Sequence, residues 1–141
     1  MQLSLRVKSS CIEVKLMINH VSIGVSDIKR AKAFYDATLK PLGYSCLSAG
    51  HSSLGYGKAS VEYWIGYSRK AVQADMESGL HFCFDAPDRK SVDAFHRAAL
   101  TAGCADNGKP GLRPDYGADY YAAFVIDPEG YRIEAYCGIA Q

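Results

Sequence analysis

Two histidines, His20 and His81, stand 61 residues apart, and the stretches that follow them read alike. Two acidic residues, Glu62 and Glu134, each fall in the last strand-like segment of the half that its histidine opens. A pair of imidazoles with one or two carboxylates is a donor set for a divalent ion: Zn, Ni, Mn or Fe(II). That chemistry requires elements that turn these side chains to a common face.

The repeat supplies such elements. Segment 20–41, HVSIGVSDIKRAKAFYDATLKP, laid on segment 81–102, HFCFDAPDRKSVDAFHRAALTA, matches at seven positions without a gap: His20/His81, Asp27/Asp88, Lys29/Lys90, Ala33/Ala94, Phe34/Phe95, Ala37/Ala98 and Leu39/Leu100. Each copy opens with an alternating strand pattern. Ser26 or Asp27 caps a first helix and Asp88 a second. Ala31, Phe34, Tyr35 and Leu39 form one apolar stripe, and Val92, Phe95, Ala99 and Leu100 the other. Gly43 and Gly103 stand where each helix should stop. Further strands are expected at 44–47, 54–56 and 61–67, and at 120–126 and 132–137. The Gly-, Pro- and Asp-rich stretch 106–119 reads as a long loop. The resulting architecture is α+β: two βαβββ modules, each a helix on a sheet.

Strand alternation assigns the faces. With Val21, Ile23 and Val25 toward the helix, His20 points the other way. His81 does the same opposite Phe82 and Phe84, as does Cys83, read as a small packing residue. Ile133 and Ala135 turn inward, leaving Glu134 and Tyr136 on the cavity side. Val61, Tyr63 and Ile65 take the helix side, leaving Glu62 and Trp64 on the cavity side. His96 lies on a helix and is expected to be exposed.

The chain has 141 residues, 16 basic and 15 acidic, for a net charge of +1. Neither nucleic acid nor an anionic membrane has an electrostatic footprint in this sequence. No apolar run is long enough to span a bilayer. The first 15 residues lack the continuous apolar segment of a secretory signal. The five cysteines form no CxxC pair, which points to reduced thiols in a cytoplasmic protein.

Three segments carry a family resemblance: INHVSIGVSDIKRAKAFYDATLKPLGY from Ile18, HFCFDAPDRKSVDAFHRAAL from His81 and AFVIDPEGYRIEAYC from Ala123. Over residues 17–137 the chain resembles the vicinal oxygen chelate superfamily, which includes glyoxalase I, extradiol dioxygenases, fosfomycin-resistance transferases and bleomycin-resistance proteins. It is most similar to small bacterial members. The resemblance implies an extension at 1–16, a first module at 17–67, a linker at 68–79 and a second module at 80–138. The modules would form a curved mixed sheet around a cavity, with helices on the outer face. A divalent ion would be held by His20, His81 and Glu134. Glu62 would serve as catalytic base or fourth ligand, with Trp64 the alternative at that position. Trp64, Tyr121, Tyr136 and Arg113 would belong to the substrate pocket. The implied activity is that of a metal-dependent enzyme, of lyase, isomerase or dioxygenase type, on a small oxygen-chelating substrate. The alternative is a non-catalytic small-molecule binder with walls from Tyr63, Trp64, Tyr116, Tyr120 and Tyr136. A homodimer is expected, sometimes with modules exchanged so that His20 and His81 come from different chains.

Overall fold

Both helices begin at the expected aspartates. Asp27 accepts a hydrogen bond from the Arg30 amide at 2.9 Å and opens α1 (Ile28–Leu39). Asp88 accepts from the Ser91 amide at 2.7 Å and opens α2 (Arg89–Thr101). Each carboxylate satisfies an amide that the first helical turn leaves without a backbone partner. The chain leaves α1 through a 3-10 turn, Lys40–Leu42, and Gly43 takes φ +85°. Gly103 does the same after α2 at φ +80°.

The computed structural model describes residues 17–70 and 77–140. The expected extension 1–16, with Cys11, lies outside the described residues, as does 71–76 of the expected linker. Eight described strands form two sheets of identical order. In the first, β1 (Val21–Val25) pairs in parallel with β4 (Val61–Tyr67), which continues antiparallel to β3 (Ser53–Gly57) and β2 (Ser45–Ala49). In the second, β5 (His81–Asp85) pairs in parallel with β8 (Arg132–Cys137), followed by β7 (Tyr121–Ile126) and β6 (Ala105–Leu112). The repeat seen in sequence is thus a repeat of βαβββ topology, an α+β fold whose mixed sheet is built as two halves.

Strand β6 corrects the sequence reading, which made 106–119 a loop. Its sequence, ADNGKPGL, has little strand propensity, but β6 lies at the edge of its sheet, where Pro110 is tolerated. Its pairing with β7 slips at Asp106/Gly108 and again at Gly108/Gly111. Gly108 is required there: its φ is +152°, and a Cβ would sit 2.9 Å from the Phe124 ring.

Helix α2 brings two further corrections. The buried stripe is Val92, Phe95, His96 and Ala99, while Leu100 is 43% exposed. These positions follow i, i+3, i+4, i+7, so His96 falls on the apolar face rather than in solvent. Its Nε2 reaches Asp106 at 2.9 Å, which satisfies the polar edge of the ring.

One core joins both modules. Tyr63 of β4 packs edge-on against Phe82 and Phe84 of β5, at 5.6 and 5.1 Å between ring centroids. Since these are helix-facing side chains, the modules meet through their helix sides, and α1 touches α2. Fully buried Phe34, Phe95 and Ile65 each contribute about 1.5–3 kcal/mol through removal of apolar area from water.

The turn between β7 and β8 clasps the first module. Asp127 receives the amides of Glu129 and Tyr131 on one oxygen, at 2.9 and 2.8 Å. Its other oxygen receives the Tyr35 hydroxyl at 2.7 Å. Tyr131 donates to the Gly24 carbonyl at 3.0 Å. Glu129 accepts from the Ser26 amide, the Ser26 hydroxyl and Arg30. Burial alone would raise the Glu129 carboxyl, but Ser26 and Arg30 more than offset it and hold its pKa below the usual range. The folded state therefore gives up this proton more readily than the unfolded chain. The clasp's contribution is complete above the unfolded pKa and is lost as pH falls through the folded one. Glu129→Gln should accordingly lose about 1–2 kcal/mol at pH 7. It should also show a shallower decline of stability in acid than the wild type, measured by urea unfolding at pH 7, 5 and 3.5.

Candidate metal centre

The parallel pairing of β5 with β8 sets Cys83 opposite Glu134 and Phe82 opposite Ile133. Alternation then turns His81, Cys83, Glu134 and Tyr136 to the face away from α2, as the sequence pattern indicates. There the His81 Nε2 stands 3.1 Å from Glu134 Oε2. Glu134 is 2% exposed, and its other oxygen accepts the Tyr120 hydroxyl at 2.6 Å.

The His81 tautomer follows from its second nitrogen. Nδ1 lies 3.1 Å from the Gly79 carbonyl, which can only accept, so Nδ1 carries the proton. Nε2 then points a lone pair at a carboxylate oxygen. Two acceptors at that separation call for a cation between them, either a second ring proton or a metal ion. A metal-binding histidine usually donates its other N–H to a carbonyl in this way. His20 is arranged likewise: its Nδ1 lies 2.8 Å from Asn19 Oδ1, leaving Nε2 free and exposed. The donor chemistry at His81 and Glu134 thus fits a divalent ion.

The third expected ligand is not brought to them. No group of three His, Cys, Asp or Glu that could hold one ion occurs among the described residues. His20 precedes β1 on the first module, whereas His81 and Glu134 belong to the second. His20 is thus held apart from the His81–Glu134 pair in the described chain.

A cleft of about 380 Å³ opens where β5 passes the end of the first sheet. Glu62 lines it with His81, Cys83, Asp85 and Tyr44, among others. The Tyr44 hydroxyl donates to the Asp85 carbonyl at 3.1 Å. Burial, then the charges of Asp85 and Glu62, push its pKa up to about 12. Burial, then the Glu134 charge, likewise raise the Cys83 thiol well above its ordinary value. Cys83 remains a protonated thiol at neutral pH.

The other expected pocket residues divide. Tyr136 shares the face of Glu134 and stacks on Tyr120, 4.2 Å between centroids, and Tyr120 meets Tyr116 at 5.3 Å. Arg113 lies over the Phe124 ring at 5.5 Å, and Phe124 pairs directly with Glu134, so Arg113 stands at the rim of that face. Trp64 is half-buried on β4, paired with Gly55 and on the face of Glu62. Tyr121 turns the other way: its hydroxyl donates to Asp93 of α2 at 2.7 Å, and Arg89 lies over its ring. The alternation that exposes Phe124 to the ligand side sends Tyr121 to the helix. Sequence reasoning missed Tyr120 as the partner of Glu134. The only signal was its position just ahead of a strand antiparallel to β8.

No family model and no curated protein sequence matches the chain. Solved structures do. A glyoxalase/bleomycin resistance protein from Albidiferax ferrireducens T118 is 31% identical, with a TM-score of 0.73, over 86% of this chain and 98% of its own. A glyoxalase/bleomycin resistance protein/dioxygenase family enzyme from Burkholderia phytofirmans PsJN shares the fold at 17% identity and a TM-score of 0.66, over 86% of this chain and 98% of its own. A glyoxalase-related enzyme from Fulvimarina pelagi does so at 12% and 0.67, over 84% and 86%. With the repeated βαβββ topology and near-complete coverage of a relative above 30% identity, the chain belongs to the glyoxalase/bleomycin resistance protein family of the vicinal oxygen chelate superfamily.

Proposed function

We propose that this protein is a divalent-metal-dependent enzyme acting on a small substrate that presents two oxygens to the ion. The ligands are His81 and Glu134 of one protomer and His20 of the partner subunit in a homodimer. The observation that carries this reading is the His81–Glu134 pair, with Nδ1 of the imidazole committed to the Gly79 carbonyl. Zn, Ni, Mn and Fe(II) all accept such donors. When bound, the ion supplies Lewis-acid stabilisation of charge developing on a substrate oxygen. Glu62, on the cleft wall shared with His81, takes up the substrate proton or serves as an exchangeable fourth ligand. Trp64, Tyr136 and Arg113 bound the substrate. The described cysteines are all free thiols, which supports a reducing, cytoplasmic setting. No described helix is long and apolar enough to cross a membrane.

A second reading, a binder without catalysis, is favoured by one observation. Tyr116, edge-on to Tyr120, and Tyr120, tilted on Tyr136, make a row of contacting rings that offers an aromatic wall to a flat ligand. Elemental mass spectrometry of protein purified without chelator separates the two. The enzyme reading expects about one divalent ion per chain, lost in His81→Ala. Metal-free protein that takes up none of Zn, Ni, Mn or Fe(II) would leave the binder.

A further inference from the structure

We propose that Tyr120 is a positioning residue that fixes how Glu134 meets the ion, an inference that rests on the metal reading above. The Glu134 carboxylate has two oxygens in two settings. Oε2 faces His81 at 3.1 Å, while Oε1 is held by the Tyr120 hydroxyl at 2.6 Å. The hydroxyl engages one lone pair of Oε1 and so fixes the plane of the carboxylate, with Oε2 turned toward His81.

Tyr120 is itself held from several sides. Its amide donates to the Gly117 carbonyl at 3.2 Å, and its carbonyl accepts from Arg113 at 2.7 Å. Its ring packs edge-on with Tyr116 and tilted against Tyr136. The hydroxyl is therefore set by backbone and ring contacts independent of Glu134. Because Glu134 is buried, no solvent stands ready to replace the Tyr120 donor.

Tyr120→Phe keeps the ring contacts and deletes only the hydroxyl. The Zn²⁺ dissociation constant, measured by chelator competition, should rise about 10- to 100-fold, the range for partners that orient a metal ligand. The visible spectrum of the Co²⁺-loaded variant should differ from that of the wild type, because the carboxylate is no longer held in one orientation. The metal-free variant should stay folded and melt a few degrees below the wild type, because Glu134 Oε1 loses its buried donor. Tyr120→Leu should lose the same metal affinity and melt earlier still, because it removes the ring as well. A Zn²⁺ affinity within about threefold of wild type and an unchanged Co²⁺ spectrum in Tyr120→Phe would overturn the inference while leaving the metal reading intact. Wild-type protein that binds neither ion would overturn both.

Discussion

Asp127→Ala should destabilise the protein by about 3–5 kcal/mol, the cost of leaving two amides and a hydroxyl without their buried acceptor. Asp127 is 5% exposed and joins the turn of the second module to α1 of the first. Its removal strands the amides of Glu129 and Tyr131 and leaves the Tyr35 hydroxyl without its acceptor. For a domain of this size the melting temperature should fall by roughly 10 °C or more. Asp127→Asn should lose no more than half as much. An amide can still accept from the two backbone N–H groups and donate to the Tyr35 oxygen, while Tyr35 turns its proton to Tyr63, 3.2 Å away. Thermal melts of the two variants at pH 7 check the order. The pH dependence runs opposite to that of Glu129. Burial raises the Asp127 carboxyl although Tyr35 and the two amides oppose it. The folded state thus holds this proton to higher pH than the unfolded chain. The contribution of Asp127 is fullest in acid and declines as pH rises through its folded pKa.

A mixture of His20→Ala and His81→Ala protomers should recover metal binding that neither variant has alone. If each site takes His20 from one chain and His81 with Glu134 from the other, a mixed dimer holds one site with both lesions and one with none. The intact site should bind about one ion per mixed dimer at wild-type affinity. If both modules of one chain built each site, every site in the mixture would carry a lesion. Co-expression with two affinity tags, tandem purification and elemental analysis read this out. The arrangement of the faces motivates the expectation: the helix sides of the two modules share a core through Tyr63, Phe82 and Phe84, and His20 does not reach the His81–Glu134 pair.

Much of the fold was legible because it depends on local chemistry. Asp27 and Asp88 ahead of apolar stripes, and Gly43 and Gly103 after them, mark helix ends that any context would preserve. The facing of His81 and Glu134 followed from strand alternation, which a regular strand cannot evade. What was hidden depends on partners distant in sequence. Strand β6 is held by its neighbour β7 despite its own poor propensity, so Gly and Pro there read as loop. His96 looked exposed because its acceptor, Asp106, stands on that unread strand. Tyr121 looked like pocket wall because two adjacent tyrosines cannot be assigned to opposite sides without knowing where the strand starts. Tyr120, the last residue before β7, meets Glu134, and Tyr121 meets Asp93. The Asp127 clasp left no local signal, since its target, Tyr35, lies 92 residues away.

The central claim is that Glu134, with the histidines, holds a divalent ion. Zn²⁺ titration by calorimetry of wild type and Glu134→Gln tests it most directly. The exchange keeps the shape and an acceptor for Tyr120 but removes the charge and the second anionic oxygen. Loss of a ligand should exceed loss of a group that merely orients one, so the affinity should fall on the order of 100-fold or more with the melting temperature of the metal-free protein little changed. Equal Zn²⁺ affinity in the two proteins would contradict the claim.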